Sequence, residues 1–254
     1  MSHPANAAPT TAWLNADALL AGLRGVNLFC GGYGSGKTEV AVNFALALAE
    51  SGRKVSVADL DIVNPYFRSR EVRGQMREQG IEVIVPNEQL VNADLPIIQP
   101  EIRGAIESRR RTVVLDLGGD PVGARVMRSI AARLDPGDCS GYFVLNSRRP
   151  FTADLAGARR MMAEIEQASG VRLTDLVVNS HLVDETTPDV IQEGIDLARA
   201  VAAETGVGIS FVCVERRMLD RFDAAGCGYP VLVLERRMLK PWERSNWLGK
   251  YRVS

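Results

Sequence analysis

The stretch FCGGYGSGKTEV, residues 29–40, places Gly31, Gly36, Lys37 and Thr38 at the spacing G-x-x-x-x-G-K-[ST]. Glycines so spaced let the chain turn tightly and bring successive backbone N–H groups against phosphate oxygens. A lysine at the start of the following helix reaches the terminal phosphates from the helix's positive end, and the next hydroxyl can meet Mg²⁺. The pattern nominates Gly32, Tyr33, Gly34, Ser35, Gly36, Lys37, Thr38 and Glu39 as phosphate-contacting residues. Lys37 is also the expected catalytic charge and Thr38 an expected metal ligand. By average residue usage such a run arises by chance in on the order of one chain in a hundred, so the elements around it must decide its meaning.

A metal-bound triphosphate also needs carboxylates, projected from neighbouring strand ends. The run TVVLD sets Asp116 behind four apolar or β-branched residues, with Asp120 after two glycines. The run VSVADLD supplies Asp59 and Asp61, of which Asp61 reaches farther into the loop. Asp116 and Asp61 are the expected metal-organising acids, and Asp61 and Asp120 the expected partners of Lys37 in positioning the attacking water. Aspartates also end strands simply by accepting turn hydrogen bonds, and it is the phosphate loop that favours the chemical reading.

The elements that would position these groups alternate. VNLFC is a buried strand, and TEVAVNFALALAE keeps apolar residues at helical spacing as far as Gly52, so the glycine run sits between strand and helix. Beyond it KVSVADLD, IEVIV, TVVLDL, GYFVLN, LTDLVVN and GISFVCV read as strands, with PVLVL as an edge strand. RSREVRGQMREQG, QPEIRGAIESR, PVGARVMRSIAARL, TADLAGARRMMAEIEQAS and TPDVIQEGIDLARAVAAE read as the intervening helices, and LNADALLAGL as a short helix near the start. Such alternation predicts an α/β fold with a mostly parallel central sheet covered on both faces, three layers in all. Ligands then gather at the carboxyl ends of the strands.

Bulk properties narrow the classes. A net charge of -1 argues against a broad nucleic-acid surface, and 46% apolar against 24% charged residues excludes a disordered chain. DNA is therefore an unfavoured partner. Cys30, Cys139, Cys213 and Cys227 stand apart, without a C-x-x-C pair, and read as buried thiols. No signal segment or membrane span is apparent, which predicts a cytoplasmic protein. The expected organisation is a tail over residues 1–12, one domain over 13–240 and an aromatic-basic tail over 241–254. That last tail, with Trp242, Trp247 and Tyr251 among basic residues, could contact a membrane surface or pack on the core.

Taken together, GGYGSGKTEVAVNFALALAESGRKVSVADLDIVNPYF, VVLDLGGD and LVVNSH resemble the MinD/ParA/Mrp-like ATPases of the SIMIBI class of P-loop proteins. The resemblance covers roughly residues 25–240. It implies Asp61 in a first switch segment, Asp116 to Asp120 in a second, and Asn179 hydrogen-bonding adenine from a strand end. It also implies ATP and Mg²⁺ as cofactors, and an ATP-dependent homodimer. An amide can indeed offer both a donor and an acceptor to a base edge. The guanine pattern N-K-x-D is not met, since the chain reads Asn179-Ser180-His181-Leu182. Typical members carry an early lysine where this chain has Gly32. Arg68, Arg70, Arg125 or Arg148 could replace it. The expected function is a slow, partner-stimulated Mg-ATPase switch controlling a client protein; the alternatives are an ATP-dependent amidoligase or small-molecule kinase, or a nucleotide-gated scaffold for metalloenzyme maturation.

Overall fold

The structure is a computed structural model, and it describes residues 12–60, 70–84, 100–118, 127–128, 130–132 and 134–237. Short apolar runs rich in Val, Leu and Phe form the strands β1 (Trp13–Leu14), β2 (Val26–Cys30), β3 (Val55–Asp59), β4 (Glu82–Ile84), β5 (Thr112–Asp116), β6 (Cys139–Leu145), β7 (Asp175–Val178), β8 (Gly208–Glu215) and β9 (Val231–Leu234). The main helices are α1 (Asp17–Ala21), α2 (Lys37–Glu50), α3 (Arg70–Glu78), α4 (Pro100–Ser108), α5 (Leu155–Ser169) and α6 (Pro188–Thr205). The caps follow the sequence. Asp154 accepts from the Gly157 amide to start α5, and Thr187 does the same for Val190 ahead of Pro188 in α6.

One nine-stranded sheet runs in the order β1-β9-β8-β7-β6-β2-β5-β3-β4. Every described pairing is parallel except β1 with β9. Parallel strands need helical crossovers, so both faces become covered. Successive residues of one strand serve opposite faces. Leu28 and Cys30 of β2 join Ile102 of α4, Met162 of α5 and Ile195 of α6 on one side. Phe29 joins Val40, Phe44 and Leu48 of α2 and Met76 of α3 on the other. The three-layer α/β architecture is thereby established.

PVLVL is not the edge of the sheet. Trp13 and Leu14 pair with Leu232 and Val231, and the Val233 amide donates to Ala12 at 2.8 Å, so β1 caps β9. The helix expected over LNADALLAGL is correspondingly shorter, because Asn15 takes a positive φ of 55° and Leu14 is drawn into β1 beside Trp13. Its ring meets Phe44 and Phe211 edge-on at 5.7 and 5.3 Å, extending a cluster that includes Phe29 and Tyr142. The four cysteines are free and buried. No helix among the described residues is long and apolar enough to cross a membrane.

Phe44 sits at the centre of that aromatic cluster, fully buried and touching Trp13, Phe29, Tyr142 and Phe211. Phe44→Ala should cost about 3–5 kcal/mol of unfolding free energy, read as a lowered denaturant midpoint with an unchanged slope.

Candidate functional site

The glycine run leaves the carboxyl end of β2 and enters α2 directly, at the centre of the sheet. Gly34 and Gly36 take positive φ of 74° and 83°, and Gly36 is the residue that caps α2. A β-carbon at Gly36 would lie 2.4 Å from Nδ2 of Asn179, and one at Gly31 would lie 2.7 Å from the Val144 carbonyl. The loop is therefore held as bare backbone by its neighbours as well as by its own torsions.

Three side chains from the exits of β6 and β7 address three successive loop residues. Arg149 donates through Nε to the Gly34 carbonyl at 2.6 Å. Asn179 donates through Nδ2 to the Ser35 carbonyl at 2.8 Å. His181 places Nε2 3.3 Å from where a Gly36 β-carbon would be. The C=O and following N–H of one trans peptide point in opposite directions. Drawing the Ser35 carbonyl outward thus turns the Gly36 N–H toward the concave side, at the positive end of α2. Ser35 Oγ is buried there without a hydrogen-bond partner.

Lys37, the first residue of α2, is only 8% exposed, and Asp116, the last of β5, only 3%. The strand register sets Asp116 beside Phe29 on one side and Asp59 on the other, level with the start of the loop. Burial drives the Cys30 thiol well above its ordinary range, with Lys37 opposing and Glu166, then Asp116, adding to the rise. Lys37 and Asp116 thus both lie within electrostatic reach of the last residue of β2. Thr38 is half-buried in the first turn of α2.

Other expected residues have different surroundings. Glu39 accepts through Oε1 from the Arg237 amide at 2.8 Å and from Asn43 Nδ2 at 3.1 Å, so its carboxylate joins α2 to the exit of β9. Gly32 faces Met161 of α5, whose sulfur would lie 3.0 Å from a β-carbon there. Tyr33 at the loop tip is 80% exposed. Arg148 pairs with Glu193 of α6. Asp61, Asp120, Arg68, Arg125 and the tail over 241–254 lie outside the described residues, as does the side chain of Arg70.

Arg149 and His181 were not anticipated as part of the site. The available signal was the asparagine that ends each of the two adjacent strands. Asn146, fully buried, accepts at Oδ1 from the Arg148 amide at 2.9 Å and from the His181 amide at 3.4 Å, and its carbonyl accepts from the Arg149 amide at 3.2 Å. It shapes both exits. His181 accepts at Nδ1 from the Val183 amide at 3.4 Å. Burial, then the nearby Arg149 and Arg236 cations, lower its pKa from the ordinary 6.5 to about 4.

A strand, a left-handed glycine loop, a buried lysine opening a helix and an aspartate on the neighbouring strand define a P-loop nucleotide-binding protein. The sequence profile of the CbiA family, the CobQ/CobB/MinD/ParA nucleotide binding domain, matches residues 31–208. The chain belongs to that family, and is a MinD/ParA-like SIMIBI P-loop NTPase whose phosphate loop lacks the early lysine. Among solved structures it is similar to chloroplast FtsY from Physcomitrella patens, with 18% identity, 74% of this chain and 58% of that chain covered, and a TM-score of 0.51. FtsY from Thermotoga maritima matches at 19% identity over 74% of this chain and 61% of that chain, with a TM-score of 0.49. A nucleotide-binding protein from Archaeoglobus fulgidus, solved with ADP, matches at 16% identity over 76% and 82%, with a TM-score of 0.43. The chain covers less than two thirds of the length of either FtsY structure. Comparison with curated protein sequences found no match.

Two outcomes follow from this geometry. Gly36→Ala should lose about 1–3 kcal/mol to its backbone conformation alone and should displace Asn179, visible as a lowered thermal midpoint together with lost nucleotide uptake. For His181, the unfolded chain takes up a proton near pH 6.5 and the folded chain not until about pH 4. Its contribution to stability is therefore full above pH 6.5 and declines as the pH falls toward 4. Thermal midpoints should fall more steeply across that window for the wild type than for His181→Gln.

Proposed function

We propose that the chain binds and hydrolyses Mg-ATP and works as a switch on a client protein. The observation that carries this reading is Lys37, buried at the positive end of α2 behind two left-handed glycines, with Asp116 at the end of the strand beside β2. Backbone N–H groups of the loop bind the phosphate chain, and Lys37 offsets negative charge on its terminal groups. Phosphoryl transfer depends mainly on positioning and charge stabilisation, which is what a rigid loop and a buried ammonium supply.

The donors present suit Mg²⁺. Thr38 and Asp116 offer hard oxygen ligands, and among the described residues no cluster of three or more His, Cys, Asp or Glu side chains could cage a metal unaided. Mg²⁺ is commonly held by one or two protein oxygens plus substrate phosphates, which matches so sparse a set. When bound, the ion neutralises charge shared between the terminal phosphates. Asp61, by the family resemblance, belongs to the same set.

ATP is preferred to GTP because Leu182 stands three residues after Asn179, where a carboxylate reading guanine would be needed. The client role is supported by the loop's surroundings. Tyr33 is 80% and Phe151 64% exposed, one at the loop tip and one in the β6 exit that carries Arg149. Apolar surface tied to the nucleotide loop is where a partner would sense the presence of the γ-phosphate.

Phosphate release from Mg-ATP and Mg-GTP by wild type and Lys37→Ala tests the proposal. Lys37→Ala should slow ATP turnover at least about 100-fold, as removal of a principal transition-state charge does. Equal release by both proteins would overturn the hydrolytic reading. Faster GTP turnover would correct the base, and a stoichiometric phosphorylated or amide product would replace the switch by a biosynthetic enzyme.

A further inference from the structure

Arginines are frequent at the exits of β6, β8 and β9, and most have acid partners. Arg148 pairs with Glu193, Arg216 with Glu235, Arg217 with Glu215 and Arg236 with Asp184. Arg149 is different. It is half-buried, its Nε donates to the Gly34 carbonyl, and no carboxylate pairs with it among the described residues. A β-carbon at Gly34 would lie 3.0 Å from Nε and 3.3 Å from Cζ, so the whole guanidinium lies against the phosphate loop. Withdrawing such a cation from water without an anion is costly. One N–H serves the loop, and the four Nη protons remain for an anion.

The strand order says which anion. Asp116 ends β5, on one side of β2, and Arg149 follows β6, on the other. A metal-organising acid fixes the side of the terminal phosphates. The remainder of the nucleotide must then run the opposite way, from the loop over the exits of β6 and β7. Its innermost phosphate crosses the Gly34–Arg149 contact. The neighbouring imidazole of His181 is neutral near pH 7, and it and the Asn179 amide, which meet the next two loop residues, bring no negative charge.

We propose that Arg149 is a nucleotide-binding residue of the same chain, its Nε anchored on the Gly34 carbonyl and its Nη groups gripping the α-phosphate. The proposal rests on the nucleotide reading above and deepens it. It assigns the cation at this loop to Arg149 rather than to Arg148, which Glu193 occupies. Because ADP and ATP share the α-phosphate, Arg149 contributes equally to both, whereas Lys37 favours the triphosphate.

The test titrates Mg-ADP and a non-hydrolysable Mg-ATP analogue into wild type and Arg149→Gln by calorimetry, at low and high salt. Arg149→Gln should weaken both ligands by the same factor, about 10–100-fold, the worth of one charge-assisted contact, and should reduce the salt dependence of binding. Unchanged affinity, or a loss that keeps the wild-type salt dependence and spares ADP, would reduce Arg149 to a brace for the loop and overturn the proposal. A second measurement needs only wild type: modification of Arg149 by phenylglyoxal, followed by mass spectrometry, should be suppressed by saturating ADP. Reactivity unaffected by ADP would overturn the proposal even if Arg149→Gln failed to fold. Wild type that takes up no nucleotide at all would instead defeat the nucleotide reading itself, an outcome distinct from normal uptake by both proteins.

Discussion

The bond from Asn179 to the Ser35 carbonyl is the constraint on which the site is built. An anion-binding loop must turn its N–H groups inward, and a rigid peptide allows this only if the matching carbonyls are satisfied outward. Asn179 meets that requirement at Ser35, and Arg149 meets it at Gly34. Both residues lie on strand exits that the chain places next to β2 only through the parallel order β7-β6-β2. The sheet's topology is thus a condition of the loop's chemistry. A βαβ hairpin containing the loop alone would leave those carbonyls to water and the N–H groups without a fixed direction.

Local features of this arrangement were legible in the sequence, because they depend on near neighbours in the chain. The strand VNLFC, the glycine spacing and the helix after Lys37 each follow from periodicity and turn chemistry within a dozen residues. The alternation of the other strands and helices was legible for the same reason. What escaped depends on distant pairings. β1 is two residues long and exists because Trp13 finds Phe44 and Phe211 across the sheet. Arg149 contacts a residue 115 positions away, and nothing in the doublet Arg148-Arg149 tells which member turns toward the loop. The turn built on Asn146 settles it, sending Arg148 to Glu193 and Arg149 to Gly34. Asn179 was expected at the base of the nucleotide, and its tie to the Ser35 carbonyl required knowing which strand lay beside β6.

Two echoing segments, VERRML and LERRML, take on a purpose in three dimensions. They leave adjacent parallel strands, β8 and β9, and Arg216 of the first pairs with Glu235 of the second. Glu235 in turn exchanges backbone bonds with the side chain of Asn43, whose Oδ1 accepts from its N–H at 2.9 Å and whose Nδ2 donates to its carbonyl at 3.1 Å. An asparagine side chain here does what a further strand would do, satisfying both backbone groups of one residue. Glu39 adds a bond to Arg237. The first turns of α2 are therefore fastened to the β9 exit, on the far side from Asp116.

This fastening gives the site a fixed half and an acidic half. On the β6 to β9 side, Arg148, Arg216 and Arg236 are locked by acids, asparagines bridge backbones and His181 stays neutral, so the loop and α2 are held at several points. On the β5 and β3 side lie Asp116 and Asp59, paired in register at the ends of their strands. Under the proposed function, a terminal phosphate lies toward the second half. Binding free energy can change a conformation only where the two states contact the ligand differently. The first half, Arg149 aside, is already satisfied by protein groups and has little to gain from the γ-phosphate. On the proposed reading the acids would meet the γ-phosphate through Mg²⁺, a contact that a diphosphate lacks. On that reading, a response to the identity of the nucleotide begins on the acidic side, with α2 and the braced loop serving as the stationary reference.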